Sequence, residues 1–277
     1  MNFDLRHEVK DWLAVIKPML LPVENYKWVG PSQDQFWEFL RRGAIMRQYE
    51  ALHAALIMAD ASHAQHAVTF LRPAFEELLW IEYLAQHPKH ANELARLLAF
   101  HESADNLFAQ NEYLGGQAMS AIGFTQHFAK VYFAQDRKVQ SRLREIGREL
   151  GWKMDRTLLP STFFLAKQVK REQDYRYLYQ GTSRFVHFSA VEICRRVWGE
   201  SGNVTIGSTS FTSFWEAFAL YWGFRTLVDL LVCCGDILAD SEEFQSRGGE
   251  LIERWKNIAP VPIITLAELR AWPENGS

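Results

Sequence analysis

Two polar motifs set into apolar, helix-favouring sequence constrain this chain more than any other feature. The first, Arg72-Pro73-Ala74-Phe75-Glu76, lies between Val68-Thr69-Phe70-Leu71 and Leu78-Leu79-Trp80-Ile81. The second, Tyr179, Ser183 and His187, is spaced four apart among Phe185, Val186, Phe188 and Val191. Burying a charge without a partner costs on the order of several kcal/mol. Each motif therefore needs partners, and a fold that brings the two together satisfies both. Positions four apart on an α-helix differ by only about 40° around its axis. Arg72 and Glu76 then share one face, and Tyr179, Ser183 and His187 share another. Tyr175 extends the second stripe by a turn, and Arg184 borders it.

The surrounding sequence is helical throughout. Gly (16) and Pro (9) are few among 277 residues, and Leu, Ala, Glu, Arg and Gln abound. Apolar periodicity predicts a helix over 3–17, ending at Pro18, then a connection to residue 31. Ser32 and Gln35 form a capping-box pattern for a long helix from about Gln33 toward Phe70. Pro73 either kinks that helix or occupies the first turn of the next, which reaches about Gln86. Pro88 opens another, from about Lys89 to Leu114, ending at Gly115-Gly116. A helix from Thr125 leads into an amphipathic basic stretch over 137–150. A loop with a short helix near Phe163 follows, then a long helix from about Glu172 to Trp198. Residues 199–210 read as a linker with strand-like pieces and no sheet. Ser213 with Glu216 is a capping pattern for an apolar helix reaching about Ala239. Ser241 caps the next helix, to about Asn257, and Thr265 with Glu268 suggests a last short one. With no alternating segments and no repeat, the expected fold is all-α, a bundle of roughly eight to ten helices with essentially no sheet. The expectation is a single helical domain over 1–277: N-terminal helix and connection 1–31, main bundle 32–198, linker 199–210, C-terminal helices 211–277.

Composition excludes several classes. Hydrophobic residues are 48% and charged residues 23%, which excludes wholesale disorder. The three cysteines, Cys194, Cys233 and Cys234, form neither a disulfide framework nor metal-ligand spacing and read as small buried residues. The N-terminus carries no secretory pattern. The most apolar stretch, Phe211 to Ala239, carries Glu216, Arg225, Asp229 and Asp236, which a lipid-spanning helix would not tolerate. A cytoplasmic protein without a membrane partner is expected. The net charge of −3 is unevenly placed: residues 137–171 hold ten Lys or Arg against three acids, a local +7 that leaves −10 elsewhere. Arg142, Arg144 and Arg148 are the candidates for a polyanion patch in this block, with nucleic acid as the candidate partner. The bland alternative is a solvated helix face.

The pattern Ala67, Leu71-Arg72-Pro73, Glu76 and Tyr83-Leu84, followed about a hundred residues later by Tyr179, Ser183 and Val186-His187, resembles a bacterial family catalogued as domain of unknown function 5677. The resemblance spans about residues 35–200. It implies an all-helical fold in which Arg72, Glu76, Tyr179, Ser183 and His187 form one cluster. It implies no activity.

Two function classes follow from the cluster. In the first, the protein is a binding or scaffold component, set in bacterial stress or phage defence, and the cluster is a satisfied polar network that locks helix register. In the second, it is a metal-independent ribonuclease-like toxin or effector. His187 then serves as acid or base oriented by Glu76, an anion is held by Arg72 or Arg184, and Tyr179 and Ser183 bind. Helical ribonucleases of the HEPN superfamily place an Arg four to six residues before a His. Arg47 with His53 and Arg96 with His101 match that permissive spacing, and neither carries the polar residue that usually follows the arginine. Glu50 with His53, Asp60 with His63 and His63 with His66 lie on one helix with no opposing pair, so no metal and no cofactor is expected. Ser183 lacks a nucleophile elbow and an oxyanion hole. A protein partner and an oligomer are both compatible with the apolar 213–239 helix, although the expectation is that this helix forms the central core.

Overall fold

The computed structural model describes residues 4–30, 35–153, 157–200, 203–207 and 211–265, with the backbone alone considered at 199–200. The Ser32 cap, Arg156 of the basic block and a helix beyond Thr265 lie outside the described residues. The fold is essentially all-α. The helices are α1 (Leu5–Ile16), α2 (Leu21–Glu24), α3 (Phe36–Asp60), α4 (Ala64–Ala67), α5 (Leu71–Ala85), α6 (Pro88–Ala121) and α7 (Gln126–Glu149). They continue with α8 (Thr162–Gln168), α9 (Glu172–Asp174), α10 (Gln180–Val186), α11 (Ala190–Cys194), α12 (Thr212–Cys233) and α13 (Glu242–Lys256). One hairpin, β1 (Val197–Glu200) with β2 (Asn203–Ile206), completes the order.

Local chemistry sets the boundaries. Asp4, Thr125, Ser161, Ser189 and Ser241 each cap a helix by accepting first-turn N–H groups. Pro88 occupies the first turn of α6, where its missing N–H is not needed. Pro73 is the third residue of α5 for the same reason, so the motif Arg72 to Glu76 forms the start of a helix. The helix expected from Gln33 to Phe70 is interrupted: α3 ends at Asp60, Ser62 takes a positive φ of 60°, and a short α4 and a 3-10 turn lead into α5. Gly115 breaks α6 with a φ of 76° and ψ of 162°, at the position where the Gly-Gly pair marks a stop.

Four further expectations are corrected. The helix expected to run to Trp198 ends at Val186, because His187 is extended (φ −117°, ψ 166°) and Ser189 caps a new helix through its hydroxyl. The strand-like pieces pair: Val197 stands opposite Ile206 and Glu200 opposite Asn203, so a two-stranded antiparallel sheet exists. Ser213 does not cap α12; Phe211 is the N-cap, and Glu216 instead receives the Arg6 guanidinium of α1. Cys194 is exposed rather than buried, and all three cysteines are free.

The chain forms two compact units. The first comprises Met1–Lys27, Arg42–Ile81 and Arg171–Ser277. Its core helix is α12, buried at Trp215, Phe218, Leu220, Phe224, Leu227 and Leu230. A helix apolar around most of its circumference belongs at the centre of a domain. Helices α1 and α13 pack beside it, with Trp12 against Phe224 at 5.1 Å and Phe224 against Trp255 at 4.2 Å. Glu8 of α1 is almost fully buried, and its charge is met by Arg254 of α13 at 2.8 Å. The same guanidinium reaches Asp11 at 2.8 Å and holds its carboxyl below the usual range. The segment after α13 returns across the unit, with the Val261 carbonyl accepting from Tyr177 Oη at 2.9 Å and Trp222 Nε1 at 2.8 Å. Gly181 permits this approach, since a Cβ there would stand 1.6 Å from Ile263 Cδ1.

The second unit comprises Trp28–Arg41 and Glu82–Lys170. Helices α6 and α7 form its long antiparallel hairpin. Arg142 of α7 grips Glu93 of α6 through two hydrogen bonds of 2.8 and 3.0 Å. Trp152 Nε1 donates to the fully buried Tyr83 hydroxyl at 2.7 Å, and burial pushes that phenol's pKa up.

Arg254→Met is expected to lower stability by about 3 kcal/mol at neutral pH, because it leaves Glu8 buried without its counter-charge. Asp11 sets the sign of the pH dependence. Its folded pKa is depressed, so its share is present above the unfolded carboxylate pKa and fades as pH falls through the folded one. Urea denaturation of both proteins at pH 7 and pH 3.5 checks this: the gap should narrow at the lower pH.

Candidate functional site

Arg72 and the second motif meet in the first unit. Helix α5 presents Arg72 from its first turn. Across from it, residues 175–179 form one wide π-helical turn that runs into α10. In that turn the rings of Tyr175 and Tyr179 stack, with centroids 4.9 Å apart. π turns are rare in proteins and concentrate where a side chain must be aimed. Arg72 lies 4.7 Å over the Tyr179 ring and donates from Nη2 to the Tyr179 hydroxyl at 2.9 Å. Its Nη1 contacts His187 Nε2, and its Nε stands 3.8 Å from Glu76. One guanidinium thus gathers Tyr179, His187 and Glu76.

The arrangement departs from the expected one in two ways. Ser183 does not face Arg72; its hydroxyl donates to the Tyr179 carbonyl of its own helix at 2.5 Å. His187 is not a stripe residue on a helix but the extended residue that ends α10, and it meets Arg72 rather than Glu76. A guanidinium can only donate, so the Nε2 it faces accepts and the ring proton sits on Nδ1. The cluster is half-exposed, with His187 at the surface. It is not the sealed core network that the apolar sequence suggests.

The exposed His187 borders a cavity of about 220 Å³. Arg184, Arg196, His66 and Gln65 also line it, over a floor that includes Trp215. Neither the Arg184 nor the Arg196 side chain has a hydrogen-bond or ion-pair partner among the described residues. The acid on this wall, Glu192, is held by Arg195, which lies 4.6 Å over the Trp215 ring. Gln65 is 6% exposed, and both its amide atoms are buried without a hydrogen-bond partner. Phe188, 88% exposed, stands at the rim. Of the expected site residues, His187 and Arg184 line the cavity. Arg72, Glu76 and Tyr179 support His187 from behind.

Gln65, Arg195 and Arg196 carry no signal of their own in the sequence, and His66 enters only as a weak metal-ligand pair with His63. The signal that leads to them is Ser189-x2-Glu192, a capping pattern inside what reads as continuous helix. It marks the break that bends the chain and opens the cavity beside it. The adjacent arginines 195 and 196 follow within one turn of that helix.

A family model described as "Family of unknown function (DUF5677)" matches residues 40–204. The chain belongs to this family. The match covers α5, the π turn, α10, α11, β1 and the first half of β2, so both halves of the Arg72 cluster and the cavity-lining residues from Gln65 to Arg196 fall within the DUF5677 region. No curated protein and no solved structure matches the chain.

Elsewhere in the DUF5677 chain, the basic stretch is divided by its own contacts. Arg142 is committed to Glu93 and Glu145, and Arg144 lies 3.5 Å from Gln140. Arg137, Lys138 and Arg148 are exposed on α7. Arg47 pairs with Glu77 at 2.9 Å, away from His53, and His101 is buried against Asp136. Neither Arg–His spacing therefore forms a paired groove within this chain. No described helix is long and apolar enough to cross a membrane.

Arg72→Ala is expected to cost no more than about 1 kcal/mol, since half-exposed ion contacts contribute little. A chemical denaturation curve checks this, and a loss of about 3 kcal/mol would indicate a sealed network instead. Arg142→Ala should cost about 0.5–1 kcal/mol at neutral pH. Arg142 holds the Glu93 carboxyl low, so this difference should shrink as pH falls through the carboxylate range.

Proposed function

We propose that the chain is a binding protein whose cavity beside His187 takes a phosphate-bearing ligand. The observation that carries this reading is a cavity lined by two arginines, Arg184 and Arg196, whose side chains have no counter-charge among the described residues. Guanidinium forks match phosphate oxygens in geometry and charge. His66 and His187 line the same cavity, and the His187 Nδ1–H is a further donor. Beneath this lining the Gln65 carboxamide is buried with neither its donor nor its acceptor satisfied, a costly state in a folded protein.

Arg72 fits a positioning role. By engaging Nε2 it fixes the tautomer and the ring plane of His187, and so aims Nδ1–H as a donor. That engagement uses the lone pair a general base would need, which favours binding over proton abstraction. The exposure of His187 and Arg184 on a shared cavity supports a second reading, metal-independent phosphodiester cleavage, with Arg184 on the phosphate and His187 as the proton carrier.

One calorimetric comparison tests the proposal. Pyrophosphate should bind the wild-type protein, and the double variant Arg184→Ala with Arg196→Ala should bind it at least tenfold more weakly. Equal affinities, or no wild-type binding, overturn it. The second reading is checked by incubating the protein with single-stranded RNA in a chelator: cleavage that His187→Ala abolishes makes the protein an enzyme.

A further inference from the structure

The hairpin of α6 and α7 holds an imidazole between two carboxylates, remote in sequence from the cavity residues. His101 and Asp136 are 9% and 7% exposed. His101 Nδ1 and Asp136 Oδ1 are 3.0 Å apart, and Gln140 Nε2 donates to the other Asp136 oxygen at 2.6 Å. On the far side of the ring, His101 Nε2 stands 3.6 Å from Asp105 Oδ2, one helical turn away. Asp105 is exposed. One potential ligand atom from each of the three residues lies within 4.8 Å of the others.

We infer that His101 Nε2 and Asp105 form a divalent transition-metal site, with Asp136 as the residue that orients the histidine. Three observations converge. First, the Asp136 carboxylate can accept a hydrogen bond from Nδ1–H, which leaves Nε2, the nitrogen nearer Asp105, with its lone pair free. A carboxylate behind a metal-bound histidine is the usual support for such a ligand. Second, a gap of 3.6 Å is too long for a hydrogen bond. It is the separation of two ligands that share one ion at bonds of about 2.1 Å and an angle of about 120°. Third, the charges fit. The two carboxylates carry two negative charges, which a proton on the ring balances only by half and a divalent ion balances fully.

Imidazole with carboxylate suits zinc among the common ions, and not calcium or magnesium, which prefer all-oxygen shells. Two side chains leave the remaining coordination positions to water or to a ligand. The site is therefore an open one, accessible from solvent through Asp105.

The test is a zinc titration of the full chain by calorimetry at pH 7, with Co²⁺ absorption as a second readout of nitrogen–oxygen ligation. The wild type should bind one equivalent at this site. Asp105→Ala removes an exposed side chain and leaves the buried His101–Asp136 pair intact, so it should keep its melting temperature and lose at least tenfold in affinity. Asp136→Asn should keep the ligands and weaken binding by roughly 10- to 100-fold. If zinc binds Asp105→Ala as tightly as wild type, the ion sits on other histidines and the inference fails. Absence of wild-type binding overturns it equally.

Discussion

Arg72 is the group on which the described site depends. A guanidinium stays charged at any physiological pH, so where the fold takes it out of water it needs partners. The first turn of α5 places it beside the π turn and the end of α10. There one side chain meets the face and the hydroxyl of Tyr179, the ring of His187 and the Glu76 carboxylate. The consequences run in order. Arg72 fixes the His187 ring, the His187 backbone is where the helix stops, and the bend at that stop opens the cavity lined by Arg184 and Arg196.

The two units use their polar residues alike. In the first, Arg254 neutralises the buried Glu8 and ties α13 to α1. In the second, Arg142 grips Glu93 and His101 meets Asp136, both tying α7 to α6. Each pair joins helices whose apolar faces already pack, so it selects register more than it supplies net stability. Arg184 and Arg196 differ because they have charge and no such partner among the described residues.

The helical class was legible because composition, sparse breakers and serine or threonine caps all point the same way. So was the meeting of the two motifs, since charge in apolar sequence demands a partner. Their setting was not legible. The apolar neighbours of His187 suggested a sealed core, yet Phe188 and Val186 are themselves exposed. A side chain's hydrophobicity says what burial would gain and not whether the fold provides it. The cavity was hidden for a related reason. It depends on a helix break at 187–189, which a period of 3.6 residues cannot reveal, and on Gln65 and His66, which arrive from a distant segment. The His101 cluster was hidden because its parts lie on two helices, 35 residues apart, and only the hairpin's register joins them.

The wide turn at 175–179 changes how this region can vary. Such a turn takes up one residue more than an ordinary helical turn. Residues four apart inside it, such as Tyr175 and Tyr179, still share a face, but the helix after it is out of phase by one position with the helix before it. Relatives with an uninterrupted α-helix here would align with a one-residue gap and would carry their tyrosines rotated by about 100°. The insertion is in effect a phase setting. It stacks the Tyr175 ring on the Tyr179 ring that Arg72 covers, and a chain that lost it could keep every residue of the motif and still not assemble the site.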